Sequence, residues 1–222
     1  MINIDSLALS YGTDGFQLTI PELKIDDMEK VAIIGPSGSG KTSLLKLISG
    51  LILPQKGQIS IEGTVVNQLS DAERRDYRIT NIGFIFQDFE LLDYLNVQDN
   101  ILHPFRITQA LKLNDLVRDQ ALDLADELGI GNKMKRYTDT LSQGEKQRTA
   151  ICRAMITTPK LILADEATGN LDPRNKTKIL DTLFRSTDKN KATLIAVTHD
   201  HELLDRFDRV IDFKQFCDVE AI

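Results

Sequence analysis

The chain has 222 residues, of which 41% are hydrophobic and 27% charged, with a net charge of −6. That length holds one sizeable core with room for a subdomain but is short for two full domains. The acidic balance, with no basic stripe to neutralise phosphates, argues against nucleic acid as a partner.

The start of the chain, Met1 to Asp5, has neither the basic flank nor the apolar stretch of a secretory signal. Nowhere do 18 apolar residues run together, so no segment is expected to span a bilayer. A cytoplasmic protein is expected, with any membrane role supplied by a partner. The two cysteines, Cys152 and Cys217, fit no metal-ligand or redox spacing. Cys152 lies in an apolar helical stretch and reads as a buried, reduced thiol.

The first 30 residues alternate apolar and polar (Ile2/Ile4, Phe16/Leu18/Ile20, Leu23/Ile25), a pattern of half-exposed antiparallel strands. The run Val31-Ala32-Ile33-Ile34 follows as a short buried strand. It leads into Gly35-Pro36-Ser37-Gly38-Ser39-Gly40-Lys41-Thr42, and Lys41 to Ile48 opens a helix. This strand, glycine-rich turn and helix together form a phosphate-binding loop, G-x-x-x-x-G-K-[ST]. The glycines let successive N–H groups turn inward, and the helix N-terminus adds partial positive charge. Lys41 can reach the β- and γ-phosphates, and the Thr42 hydroxyl can ligate Mg²⁺. A nucleoside triphosphate is the expected ligand.

Residues Gln58 to Gly63 read as an edge strand and turn, and Ser70 to Glu73 as a capping box opening a short charged helix. Ile82 to Phe86 is a buried strand that stops at Gln87-Asp88. From Asn96 to Gly131 the pattern is helical, with Leu116, Ala121, Leu124, Ala125 and Leu128 tracing one face. Leu161 to Ala164 and Leu194 to Val197 are continuous apolar runs, as in central parallel strands covered on both faces.

The first of these runs ends in Asp165-Glu166. At a strand end adjacent side chains leave opposite faces, so Asp165 is assigned to Mg²⁺ and Glu166 to the attacking water, as general base or to position it. Leu141-Ser142-Gln143-Gly144-Glu145 opens another helix. Ser142 and Glu145 again have capping-box spacing, and Gly144 in the first turn leaves a backbone N–H unshielded.

Leu-Ser-Gln-Gly-Glu, 23 residues before the Asp-Glu strand end, resembles the signature of ATP-binding cassette (ABC) ATPases. The resemblance covers essentially the whole chain. It implies an α/β P-loop fold: an antiparallel β portion (about 1–30 and 56–66), a helical subdomain (about 90–145) and a mostly parallel, RecA-like core, all in one ATPase domain, 1–222. Tyr11 resembles the aromatic that stacks on adenine. Gln87 resembles the glutamine that senses Mg²⁺ and the attacking water. Asn170-Leu171-Asp172 resembles the loop that signals across a dimer, and His199 the switch histidine at the γ-phosphate. Gly35, Pro36, Ser37, Gly38, Ser39, Gly40, Lys41, Thr42 and Ser43 would cradle ATP. Ser142, Gly144 and Glu145 would meet the ATP held by a second copy packed head to tail.

Within the family, the stretches 82–87 and 165–172 most resemble the subgroup of lipoprotein release, macrolide and peptide export, and cell division. There the cassette drives a separately encoded permease, which implies export or mechanical work and a peripheral place on the inner face of the membrane. The chain departs from the common pattern at Ala167, Gln143, Met28, Leu91 to Asp93 and Asp212 to Phe216. Relatives that act on DNA or ribosomes as soluble ABC ATPases usually carry a long coiled coil or a second cassette, whereas the 55 residues from Gln87 to Ser142 hold no sustained heptads and the net charge is negative. A nucleotide-gated scaffold of the cell-division type is the other reading, and intact Glu166 and His199 weigh against it.

Overall fold

The computed structural model describes residues 1–10, 16–167 and 173–216, with side chains in the last stretch described from residue 176. The expectations for Tyr11, for Asn170 to Asp172 and for Cys217 lie outside these residues.

Two sheets organise the chain. Strands β1 (Ile2–Ser10) and β2 (Gln17–Ile25) pair antiparallel, from Ile2 opposite Ile25 to Ser10 opposite Gln17. Their apolar alternation buries Ile2, Ile4, Leu18, Ile20 and Ile25 on one face. Strand β4 (Lys56–Ile61) pairs with the other side of β1, and the two-residue β5 (Thr64–Val65) closes the sheet in the order β2-β1-β4-β5. The strand expected at an edge is thus an interior one. Glu62 and Gly63, both left-handed (φ 47° and 81°), fold the chain straight back, so β5 takes the edge.

The second sheet has the order β6-β7-β8-β3-β9: β3 (Lys30–Ile34), β6 (Ile82–Ile85), β7 (Leu161–Asp165), β8 (Thr193–Val197) and β9 (Arg209–Asp212). Its pairings are all parallel. The three interior strands are the continuous apolar runs read from the sequence, covered on both faces by helices. Register places Val197 beside both Ile33 and Asp165. The C-terminal ends of β3, β8 and β7 therefore lie side by side, where open α/β sheets bind their ligands.

Helix α1 (Lys41–Ile48) buries Leu44, Leu45, Leu47 and Ile48 in a core shared by both sheets. A second core on the far side of the parallel sheet gathers α3 (Val97–Ile101), α4 (Asp115–Glu127), α5 (Gln143–Met155) and α6 (Pro173–Asn190). Helix α2 (Asp71–Asn81), with no fully buried residue, leads into β6. One residue of the expected α4 face is wrong: Leu116 is 78% exposed. The buried stripe runs through Val117, Ala121, Leu124, Ala125 and Leu128, a spacing that starts one residue later and leaves Leu116 facing water. Between α2 and α5 the chain is otherwise short helices and turns, with a lone antiparallel bridge, Asn96 to Tyr137, outside the named strands among the described residues. Among the described residues no helix is long and apolar enough to cross a membrane.

Candidate active site

The turn from β3 into α1 carries three glycines at positive φ: Gly35 (151°), Gly38 (78°) and Gly40 (98°). Gly40 is also a matter of space, because a Cβ there would lie 2.4 Å from Cζ of Phe16. It is the N-cap of α1, and as a glycine it makes no side-chain cap bond, a helix start of the kind that suits an anion. Lys41 is only 6% exposed and folds back over the turn, its Nζ donating to the carbonyls of Gly35 (2.8 Å) and Pro36 (2.7 Å). Ser39 is buried beneath the turn, near where a Gly35 Cβ would stand. The loop, with Ser37, Thr42 and Ser43, forms one wall of a cavity of about 330 Å³.

Three further elements bring their ends to this cavity: Gln87 after β6, Glu166 after β7 and His199 after β8. Asp165 lies behind the wall, 4% exposed and hydrogen-bonded to Thr42. Burial pushes its carboxyl above the usual carboxylate range, the Thr42 hydroxyl opposes that shift, and the charge of Glu166 adds to it. A buried carboxylate next to a hydroxyl is a hard-oxygen pair of the sort Mg²⁺ takes when it rides on phosphates and keeps most of its waters. Among the described residues no group of three His, Cys, Asp or Glu side chains forms a cage for a metal, so sparse ligation of this kind is what the residues fit.

The two carboxylates part company, though not by strand alternation as expected. Strand β7 ends at Asp165, and Glu166 is left-handed (φ 52°), its N–H donating to Val197 O at 3.1 Å. That turn puts the Glu166 carboxylate in the cavity wall, with Oε1 2.6 Å from His199 Nε2. Asp200, the next residue, is paired with Lys176 of α6 at 2.8 Å, and this pairing holds its carboxyl below the usual range.

The signature segment stands elsewhere. Ser142 caps α5: its hydroxyl accepts from Glu145 N–H (3.4 Å), and the Glu145 carboxylate accepts from Ser142 N–H (2.8 Å). Those bonds, with Lys133 3.4 Å away, hold Glu145 below the usual carboxylate range. Ser142, Gly144 and Glu145 do not line the phosphate-loop cavity. Gln143 and Lys146, with Gln87 to Leu91, Asp93 and Thr138, line a separate pocket of about 570 Å³. Two participants escaped the sequence reading. Phe16 sits in a plain alternating strand pattern, and Lys176 is one cation among many on a charged helix.

A phosphate loop, a buried Asp beside its threonine, and a Glu–His pair at the ends of adjacent parallel strands define a P-loop ATPase. Residues 18–169 match the family described as ABC transporter, and the chain belongs to that family. It is an ATP-binding and ATP-hydrolysing cassette of the kind that serves transporters. It is 41% identical over 191 residues to an uncharacterised ABC transporter ATP-binding protein, YvcR, of Bacillus subtilis (85% of this chain, 73% of that one). It is 38% identical over 208 residues to the lipoprotein-releasing system ATP-binding protein LolD 1 of Rhodopirellula baltica (92% and 90%). The dimeric structure of MJ0796, a bacterial ABC transporter cassette, superposes with a TM-score of 0.87 at 31% identity, covering 96% of this chain and 94% of that one. A dimeric post-hydrolysis state of the same cassette, bound to ADP and Pi, fits equally well.

Proposed function

We propose that two copies of this chain pack head to tail around two ATP molecules and drive a separately encoded membrane permease, in export or mechanical work. The whole chain acts as one cassette, peripheral on the inner face of the membrane through that permease. The observation that carries the reading is the separation of the two halves of the nucleotide site. The phosphate-loop cavity gathers the hydrolytic groups, while Ser142, Gly144 and Glu145 of the α5 start lie outside its lining. A second copy supplies what each half lacks, and the relatives solved as dimers support this arrangement.

In that assembly, Gly35 to Ser43 and the α1 N-terminus hold the phosphates, and Lys41 exchanges carbonyl partners for β- and γ-phosphate oxygens. Thr42, Asp165 and Gln87 would hold Mg²⁺, which would supply positive charge against that developing on the phosphates. Glu166 takes a proton from the water that attacks the γ-phosphorus, and the bond to the β-phosphate oxygen breaks to leave ADP and phosphate. His199, 2.6 Å from Glu166, fixes that carboxylate and reaches the γ-phosphate. Tyr11 stacks on the base. Ser142, Gly144 and Glu145 close over the partner's ATP, with Asp172 at the same interface.

The permease surface is a cavity of about 270 Å³, more apolar than the nucleotide cavity, between Leu51, Ile79, Phe84, Phe86, Pro104 and Ile107. Leu51 and Ile107 are 41% and 60% exposed there, which suits a partner that covers them. The test is affinity capture of the chain from detergent-solubilised native membranes, with partners identified by mass spectrometry. Recovery of a polytopic permease is expected. Recovery from the soluble fraction alone would favour a soluble ATPase.

A further inference from the structure

The loop after Gln87 holds two consecutive left-handed residues, neither of them glycine: Phe89 (φ 63°) and Glu90 (φ 49°). Backbone of this kind persists only where its surroundings over-determine it. Local bonds supply part of the constraint, with Phe89 N–H donating to Phe86 O (3.0 Å) and Glu90 N–H to Asp88 O (2.7 Å). The rest comes from Arg153, in the last turn of α5. Its guanidinium donates to the carbonyl of Phe89 (2.5 Å) through one nitrogen and to that of Glu90 through another. A planar fork can hold two successive carbonyls at once; an ammonium cannot fix both directions.

The place of this clamp gives it consequence. Gln87, two residues before it, lines the nucleotide cavity, and Arg153 itself lines the apolar groove on the other side. Helix α5 flanks the loop from both ends, with Gln143 and Lys146 of its first turns sharing a pocket with Gln87 to Leu91. The helix that begins at Ser142 is thereby tied to the loop that carries Gln87. We propose that Arg153 is a positioning residue that sets the conformation of Gln87 to Glu90, so that the groove, the Ser142 helix and the nucleotide cavity move as one unit. Burial lowers the Arg153 pKa to about 10, against the opposing charge of Glu90, which still leaves the guanidinium charged at neutral pH.

The proposal rests on the ATP-driven dimer above, and its test separates the two. In the Glu166→Gln chain, Mg²⁺ is titrated at fixed ATP while dimer formation is followed by light scattering, and hydrogen exchange is read along the backbone. The parent should dimerise; if it does not, the dimer reading fails before Arg153 is examined. Arg153→Met should raise the Mg²⁺ needed for half-maximal dimerisation by fivefold or more, on the order of 1 kcal/mol. Exchange should rise in 87–92 and stay unchanged in β6, β7 and the middle of α5. Arg153→Lys, which keeps charge and most of the volume, should fall between. An unchanged Mg²⁺ requirement would overturn the proposal, whatever the loop does. So would a uniform rise in exchange across the core in both variants, since that marks a packing role only.

Discussion

Helices α1 and α5 both begin where the family resemblance places ATP, yet their N-termini are built in opposite ways. The start of α1 has a glycine N-cap in the left-handed region, makes no side-chain cap bond and lines the cavity. The start of α5 is closed by its own Ser142–Glu145 box, the same device that opens α2 with Ser70 and Glu73. Charge follows the same division. Asp165, at the α1 half, is buried and held above the carboxylate range, so it costs folding energy when ionised. Glu145, at the α5 half, is held below that range by the bonds that cap its helix, so it adds stability when ionised. The first half is arranged for a ligand at some expense to the fold; the second is already satisfied within its own chain and, in the proposed dimer, would meet the partner's ligand.

The comparison is tested most severely at the catalytic half. Glu166→Gln should lower the turnover number by about 10²–10⁴-fold while leaving ATP binding and the ATP-held dimer intact. A variant that turns over normally would remove Glu166 from its role. Lys41→Ala should abolish tight ATP binding, weakening it by about 10- to 100-fold in a calorimetric titration, the scale of a lost charge-assisted contact.

At the other half, Ser142→Ala and Ser70→Ala should each cost about 1 kcal/mol in denaturant unfolding, because each removes the same cap. Ser142→Arg should also block ATP-driven dimerisation, whereas Ser70→Arg should not. If both arginine variants dimerise alike, the two boxes are equivalent and the functional reading of Ser142 fails.

The smallest effects are on pH-dependent stability. A raised folded pKa means that Asp165 contributes no penalty below its unfolded value, near 3.8, and the full penalty once pH exceeds the folded value. Asp165→Asn should therefore raise the melting temperature of the nucleotide-free chain at pH 7 to 8, with the gain vanishing on acidification below about 3.8. Glu145 has the opposite sign: its stabilisation is present above its unfolded value, near 4.5, and is lost as pH falls through the lower folded value. Glu145→Gln should lower the melting temperature at pH 7 and match the parent in acid. The same sign for both variants would contradict the opposite roles of the two carboxylates.

Much of the fold is legible in the sequence, and the reasons are local. The phosphate loop is contiguous, its flanking strand is a continuous apolar run, and capping boxes are three-residue patterns. Even a departure kept its meaning: Met28, where glycine is usual in the family, does occupy a left-handed turn (φ 63°). What could not be read depended on angles or on distant pairings. The turn that separates Glu166 from Asp165 is a single backbone angle with no residue signal, since Glu is not a residue that favours φ > 0. A helical face can be misphased by one residue where two successive residues are apolar, as Leu116 and Val117 are. Arg153 reaches carbonyls 63 and 64 residues away, and carbonyls carry no sequence. Lys176 and Asp200 are two charges among many until the fold sets them 2.8 Å apart.

The central claim is that one ATP is held by the phosphate loop of one copy and the Ser142 helix of another. Mixing two inactive chains tests it most directly. Lys41→Ala lacks a working phosphate loop but keeps Ser142, and Ser142→Arg lacks the helix start but keeps Lys41. A head-to-tail dimer of the two contains one complete site, so ATP hydrolysis absent from either chain alone should return when they are combined. Hydrolysis in the mixture no greater than the sum of the separate chains would contradict the shared site.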